Sequence, residues 1–465
     1  ASLRPHLAQE HAVSPDRTTP VPSGRTADDV TTYVGARVIT GDGHTVLENA
    51  ILTVRDGRIA HIAPAREAGE SETGAPEGAG TVVPVHGKTI MPALVNPHGH
   101  LGYMRGTVSD PRHYSRDNVV DHLRRSLYFG VSTFQSLGTD LRDIEIGLRD
   151  DQRAGRLDDP DLATLLTAGA GIVAAPTADA GSGAPFFAVD AVHPATGPED
   201  ARAHVAALAA RHVDAVKFWI DDRGGTAAKL SPRTAAAIVD EAHRHGLKAA
   251  AHIYTADDAR TALDAGADIL AHMPRDPEPD DELIRRLLDR DVAVFTSMSV
   301  QGPATTDWLD EPILHEVLPE KTIAAFRARL DEREREPLFD TSRTYARLQR
   351  TVATLHAAGV RLVFSPDTGV FAQLPGMAEH RELQALVEAG IPALQAIEFA
   401  TRRSAHLLGL DDRGLLEPGR RADLVILDAD PRDDIRNTRR ISSLVIAGRT
   451  VDRDRLRDRI TEATA

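Results

Sequence analysis

Two histidines one residue apart, His98 and His100 in "VNPHGHLGYMRG", follow an apolar run. Imidazoles so spaced are ligands a divalent cation takes when no thiolate is offered. The chain has 20 histidines in 465 residues, enough for about one His-x-His triplet by chance. A second triplet stands in "EAHRHG", His243 and His245. Secondary structure tells the two apart. His243 and His245 fall in a helical pattern, where neighbours turn by about 100° and i and i+2 diverge. Near a helix C-terminus they read as surface residues. His98 and His100 end a strand pattern, where i and i+2 share a face, so both can point at one ion.

The same placement recurs. His252 ends the run in "AAAHIY", His272 the run in "ILAHMP", and Asp367 the run in "RLVFSPDTG". Any one alone more often caps a neighbouring helix or bonds to backbone. Four histidines and an aspartate at strand ends differ, because the strand ends of a closed parallel barrel converge on one rim. Lys217, in "VDAVKFWI", ends a further apolar run. A buried ammonium needs a partner or a changed protonation state. Asp221 or Asp222 can supply an ion pair. Alternatively the neutral amine adds CO2, giving a carbamate anion able to bridge two cations. Lysine occurs only at 88, 217, 229, 248 and 321, and beside the histidines the carbamate is the favoured reading.

Composition narrows the classes. A formal charge of −15, with the charges scattered, argues against nucleic acid as a partner. No cysteine is present, so disulfides and thiolate metal sites are excluded. No apolar run reaches the length of a membrane span. The first residues lack the apolar core of a signal peptide, so a cytoplasmic protein is expected.

The elements that must position these groups are legible in outline. "MPALVNPH", "GVSTFQSLG", "LATLLTAGAG", "VDAVKFWI", "LKAAAHIY", "ADILAHMP", "VAVFTSMSV" and "RLVFSPDT" are strand candidates, most of them separated by amphipathic helices. Ser231 and Pro232 open one helix that closes on Gly246, and Thr255 opens the next. Eight strand–helix units predict an α/β fold with a (β/α)8 TIM-like barrel. A doubly wound sheet is the rival, but no Gly-x-Gly-x-x-Gly follows the first strand. Hairpin-like runs with Gly-Asp-Gly and Asp-Gly turns precede the barrel, and similar β runs follow it. The expected division is a polar tail or arm over 1–30, a small β-sandwich domain from 31–92 and 411–465, and the barrel over 93–410. Long connections at 173–212 and 301–341 follow strand C-termini and read as walls or lids over a pocket.

His-x-His after strand one, Lys217 after strand four, His252 and His272 after strands five and six, and Asp367 after strand eight resemble the amidohydrolase superfamily. The resemblance covers nearly the whole chain, including the "MPALVNPHGH" entry and the closing "LEPGRRADLVILD". The lysine-containing pattern is similar to the binuclear branch, near imidazolonepropionase-like and prolidase-like members. It implies that His98 and His100 hold the more buried cation and His252 and His272 the more exposed one. Carboxylated Lys217 bridges them, and Asp367 binds metal and shuttles a proton. Two divalent ions are implied, zinc first, with Mn, Co, Ni or Fe as alternatives. The family's usual acid before the sixth-strand histidine is Ala271 here, which leaves the substrate class open.

Two cations about 3.5–4 Å apart can share one hydroxide that attacks a carbonyl carbon, with Asp367 as base and then acid. The expected activity is hydrolysis of an amide, cyclic amide or ester in a small molecule, with prolidase-like, N-acyl amino acid or imidazolone-like substrates. Tyr254, two residues past His252, can donate to the developing oxyanion or simply pack. Phe186, Phe187 and Trp219 line the pocket or the core, and Arg105 and Arg223 are candidates for a substrate carboxylate. A homo-oligomer is expected. The rivals are a mononuclear deaminase, which needs an acid just after the fifth-strand histidine, and a catalytically silent barrel, which would have lost ligands.

Overall fold

The computed structural model describes residues 30–65, 80–157, 159, 161–335 and 341–464. The expected arm therefore lies outside the described residues, except Val30, which opens the first strand.

All eight apolar runs form strands: Leu94–Gly99, Val131–Ser136, Thr164–Thr167, Val216–Trp219, Ala249–His252, Ile269–Ala271, Ala293–Phe295 and Leu362–Val363. Neighbours pair in parallel from the fourth to the eighth and from the first to the third. The third strand breaks at Ala168–Ala170 and resumes at Gly171–Ala174, where Ile172 pairs with Phe218 of the fourth. At the other seam Gly99 bridges Thr368, and the His100 N–H donates to the Thr368 carbonyl at 2.7 Å. These contacts join the first strand to the segment after the eighth, and the third to the fourth, as a barrel requires and a doubly wound sheet does not.

Local chemistry sets the helices between the strands. Ser231 Oγ accepts from the Thr234 N–H and Pro232 begins the helix Pro232–Arg244. Thr255 and Asp258 form a reciprocal cap on Ala256–Ala265, satisfying N–H groups the first turn leaves open. The barrel interior is filled by small and medium apolar groups, Ala215, Ala250, Ile269, Ala271, Ala293, Phe295 and Val363 among them. A filled interior confines any site to the rim at the strand C-termini.

The two ends of the chain share one sheet. Leu424–Leu427 runs antiparallel to Thr89–Pro92, and Ile441–Ile446 continues outward. The sheet bends at Val30–Ile39, which pairs with Thr81–Pro84 through its first half and with Thr89–Pro92 through its second. Val38, Leu52, Val54, Ile90, Leu424 and Val445 share the core it encloses. The last residues differ from the expected division. Arg453–Thr464 leaves the β domain as a helix. Leu456 and Ile460, one turn apart, bury against the barrel helix Arg116–Tyr128, and the Arg453 guanidinium lies 4.3 Å from the Tyr128 ring centroid. Among the described residues no helix is long and apolar enough to cross a membrane.

Candidate metal centre

His98 occupies the end of the first barrel strand and His100 lies one residue beyond it. Both present Nε2 to Asp367 Oδ1, at 3.3 Å and 3.2 Å. Their Nδ1 atoms are engaged elsewhere, His98 with Ser365 Oγ at 2.9 Å and His100 with Thr139 Oγ1 at 3.0 Å. Such outward bonds fix which nitrogen is left for a metal. Asp367 follows the eighth strand with φ of 55°, left-handed backbone that a side-chain-bearing residue rarely adopts. Gly369, two residues on, is required, since a Cβ there would sit 1.9 Å from the His100 carbonyl oxygen.

His252 and His272 form a second pair. His252 Nδ1 and His272 Nε2 lie 3.0 Å apart. On its far side His252 Nε2 faces Asp221 Oδ2 at 3.4 Å, which leaves Nδ1 turned inward. His272 also has positive φ, 127°.

Lys217 is fully buried beside the first pair. Its Nζ is 3.5 Å from His98 Nε2 and 5.1 Å from the Trp219 ring centroid. Gly138 makes room for it, because a Cβ at that position would meet Lys217 Cβ at 2.5 Å. The ion pair offered by sequence does not form. Asp221 is committed to Arg223 Nη1 at 3.1 Å, and Asp222 accepts from the Gly225 N–H. Burial drives the Lys217 pKa down to about 7, against the attraction of Asp367. Burial also lowers the proton affinity of His98, His100, His252 and His272, which favours the neutral form that binds metal. Burial alone would raise Asp367, but His98, His100 and Lys217 hold it well below the usual carboxylate range.

These groups fit divalent cations. Ligand bonds of about 2.0–2.1 Å in tetrahedral geometry place ligand atoms about 3.3–3.4 Å apart, close to the observed 3.2 and 3.3 Å edges of the first group and the 3.0 Å edge of the second. His98, His100 and Asp367 alone offer three ligand atoms within 4.8 Å of one another. Asp367 Oδ1, the oxygen that faces both His98 and His100, is buried without a hydrogen bond. An unsatisfied polar atom of this kind is costly and marks a place that a cation would complete.

The expected substrate contacts divide. Tyr254 is half-buried just past His252, and Phe187 packs on His100 with ring centroids 4.6 Å apart. Trp219 is buried against Lys217 and His252, so it supports ligands more than it faces solvent. Phe186 is 45% exposed and stacks edge-on with Phe371 at 5.3 Å, a rim position. Arg105 is not brought to the site: it is exposed on the ribbon Met104–Arg105 and lines a separate cavity with His113 and Asn118. His243 and His245 are surface residues, paired with Asp268 and Glu241. Arg275, three residues past His272, is a buried neighbour of the centre that sequence did not single out.

A parallel barrel with imidazoles and a carboxylate gathered at its rim is the arrangement a metal-dependent hydrolase requires. The chain belongs to the amidohydrolase family, whose model matches residues 89–451. It is similar to the crystal structure of a putative prolidase from Bifidobacterium longum, with 27% identity and a TM-score of 0.69 over 95% of this chain and 100% of that one. A Xaa-Pro dipeptidase structure with bound methionine aligns with a TM-score of 0.68 and 20% identity over 91% of this chain and 99% of that one. An adenine deaminase of Klebsiella pneumoniae is 49% identical over 47 residues, 10% of this chain and 8% of the deaminase.

Proposed function

We propose that the protein hydrolyses an amide, cyclic amide or ester bond of a small molecule at a two-cation centre. The observation that carries this is the pair of ligand groups, His98–His100–Asp367 and His252–His272, with the buried Lys217 amine 3.5 Å from His98 Nε2. A buried amine that titrates near neutrality can add CO2 with loss of a proton, and the resulting carbamate would offer oxygen ligands to cations held by the two groups. Bound there, zinc or a similar divalent ion would supply ionised water and polarise a carbonyl.

The chain's own groups do the rest. Asp367, ionised and facing both His98 and His100, accepts a proton from the attacking water and returns it to the leaving nitrogen or oxygen. The Tyr254 phenol donates to the charge developing on the carbonyl oxygen. Phe187 and Phe186 form an apolar approach. The names of the related structures, a putative prolidase and a Xaa-Pro dipeptidase, favour amides of amino acids within this class.

The deaminase reading is disfavoured by the loop after His252. Tyr254 and Thr255 occupy the near positions, Thr255 is spent capping a helix, and the Asp257 side chain is 89% exposed and paired with Arg260. Assay of the zinc-loaded protein against N-acyl amino acids, dipeptides, lactones and aminated heterocycles tests the proposal. Cleavage of an amide or ester is expected. Release of ammonia from a heterocycle, with no amide or ester cleaved, would contradict it.

A further inference from the structure

The chain carries a formal charge of −15, yet at the end of the barrel opposite the metal centre it gathers positive charge. A cavity of about 290 Å³ there is lined by Arg361, Arg402, Arg403, Arg413, Arg420 and His406. Among the described residues that line it, Asp411 alone is acidic. Arg361 immediately precedes the eighth strand, Leu362–Val363, whereas Asp367 follows that strand. The cavity therefore lies under the floor of the barrel, with the filled interior between it and the rim.

Three segments converge on it. Phe399–Arg403 is a π-helical turn, a rare form that is frequent at functional sites. Its two arginines, Arg402 and Arg403, share one buried carboxylate, Glu398, and Arg403 also donates to the Leu362 carbonyl at 3.3 Å. Arg413, on the return to the β domain, is buried. It donates to Asp412 at 2.9 Å and reaches Thr133 Oγ1 of the second strand at 3.4 Å. Arg361 and Arg420 pair with Asp291 at 3.2 Å and Glu417 at 3.4 Å, and His406 Nδ1 lies 2.8 Å from Asp411 Oδ1. The side chains of these three acids are more exposed than buried. Ion pairs of that kind are weak and yield to a better acceptor.

We propose that this cavity binds a small multivalent oxyanion of the phosphate or pyrophosphate type, at a site separate from the metal centre. The inference stands apart from the hydrolase reading. A guanidinium meets a phosphate group through two parallel hydrogen bonds. Each has five N–H donors, so Arg402 and Arg403, with one carboxylate between them, keep donors to spare. The volume lies at the small end of ligand sites, which suits a compact anion. The negative charge of the rest of the chain repels anions and confines such binding to this place.

Calorimetric titration of the full-length protein with pyrophosphate, inorganic phosphate and sulfate, at about 0.15 M salt to screen loose surface attraction, tests this. About one pyrophosphate per chain is expected, with a Kd below about 1 mM, in zinc-loaded and in chelator-treated protein alike. Arg361→Ala and Arg402→Ala remove side chains from the cavity mouth and should each weaken binding by about tenfold or more, while Arg402→Lys should retain part of it. Arg286→Ala, which removes a surface arginine paired with Asp264 on another barrel helix, should leave the affinity unchanged. No saturable binding of any of the three anions would overturn the proposal. So would an affinity that survives the Arg361→Ala and Arg402→Ala pair, or one that Arg286→Ala lowers equally. Binding that disappears on chelation would place the anion at the metal centre and overturn it as well.

Discussion

His252 Nδ1 and His272 Nε2 meet at 3.0 Å from the ends of adjacent barrel strands. Across the rim Asp367 Oδ1 stands equally close to His98 and His100. In the first group the ring nitrogens that face the carboxylate are those left over after Nδ1 has been bonded outward, to Ser365 and to Thr139. Directed ligands with their far sides tied down are the condition for tight, geometrically selective metal binding.

The outward bonds should therefore matter as much to metal affinity as the ligands' own orientation does. Ser365→Ala frees His98 Nδ1, and Thr139→Val frees His100 Nδ1. Each should weaken zinc binding by about 10–100-fold, read by competition with a chelator of known affinity. Wild-type affinity in both would show that the rings are held by packing alone.

Asp367→Asn keeps size and one oxygen ligand but removes the acceptor of the proton. A loss in kcat of about 10²–10⁴-fold is expected while zinc remains bound, measured on whichever amide or ester the wild-type protein cleaves. Unchanged turnover would take the proton-shuttle role away from Asp367.

Much of this centre could be read from sequence because strand geometry is simple. The period of two placed His98 and His100 on one face, and apolar runs ending in His252, His272 and Asp367 marked the rim. Lys217 stood out because lysine is rare in the chain. Arg275 did not, because arginine is common and nothing local separates a buried one from a surface one. Glu379 and Glu382 were also missed. Glu379 accepts from Asn96 Nδ2 at 2.6 Å and Thr368 Oγ1 at 2.8 Å, bracing both sides of the barrel seam. Glu382 accepts from the Met298 and Ser299 N–H groups after the seventh strand. A signal existed: both acids share the inward face of Met377–Glu388 with Leu383 and Leu386, where solvent-facing acids would not sit. The C-terminal helix was hidden for a different reason, since Leu456 and Ile460 alone make a stripe too short to notice.

The loop after His100 carries a pH dependence. His122 Nδ1 accepts from the Gly102 N–H at 3.0 Å, and its Nε2–H donates to the Met104 carbonyl at 2.7 Å. Burial pushes its pKa down to about 4, against about 6.5 in the unfolded chain. The unfolded state thus binds the proton first, so this contribution to stability is intact above pH 6.5 and drains away as the pH falls towards 4. His122→Gln should flatten the slope of unfolding free energy in that window, by up to about 1.4 kcal/mol per pH unit. Denaturant titrations at pH 7, 6, 5 and 4.5 check this, and parallel slopes in the two proteins would contradict it.

The central claim is that two cations sit at this rim with a carbamate between them. Elemental analysis of protein purified in the presence of zinc and bicarbonate, joined to anomalous diffraction from its crystals, tests it directly. The account predicts about two zinc ions per chain, one among His98, His100 and Asp367 and one between His252 and His272, with planar three-atom density extending from Lys217 Nζ. A single ion beside a bare lysine amine, or no ion at all, would contradict it.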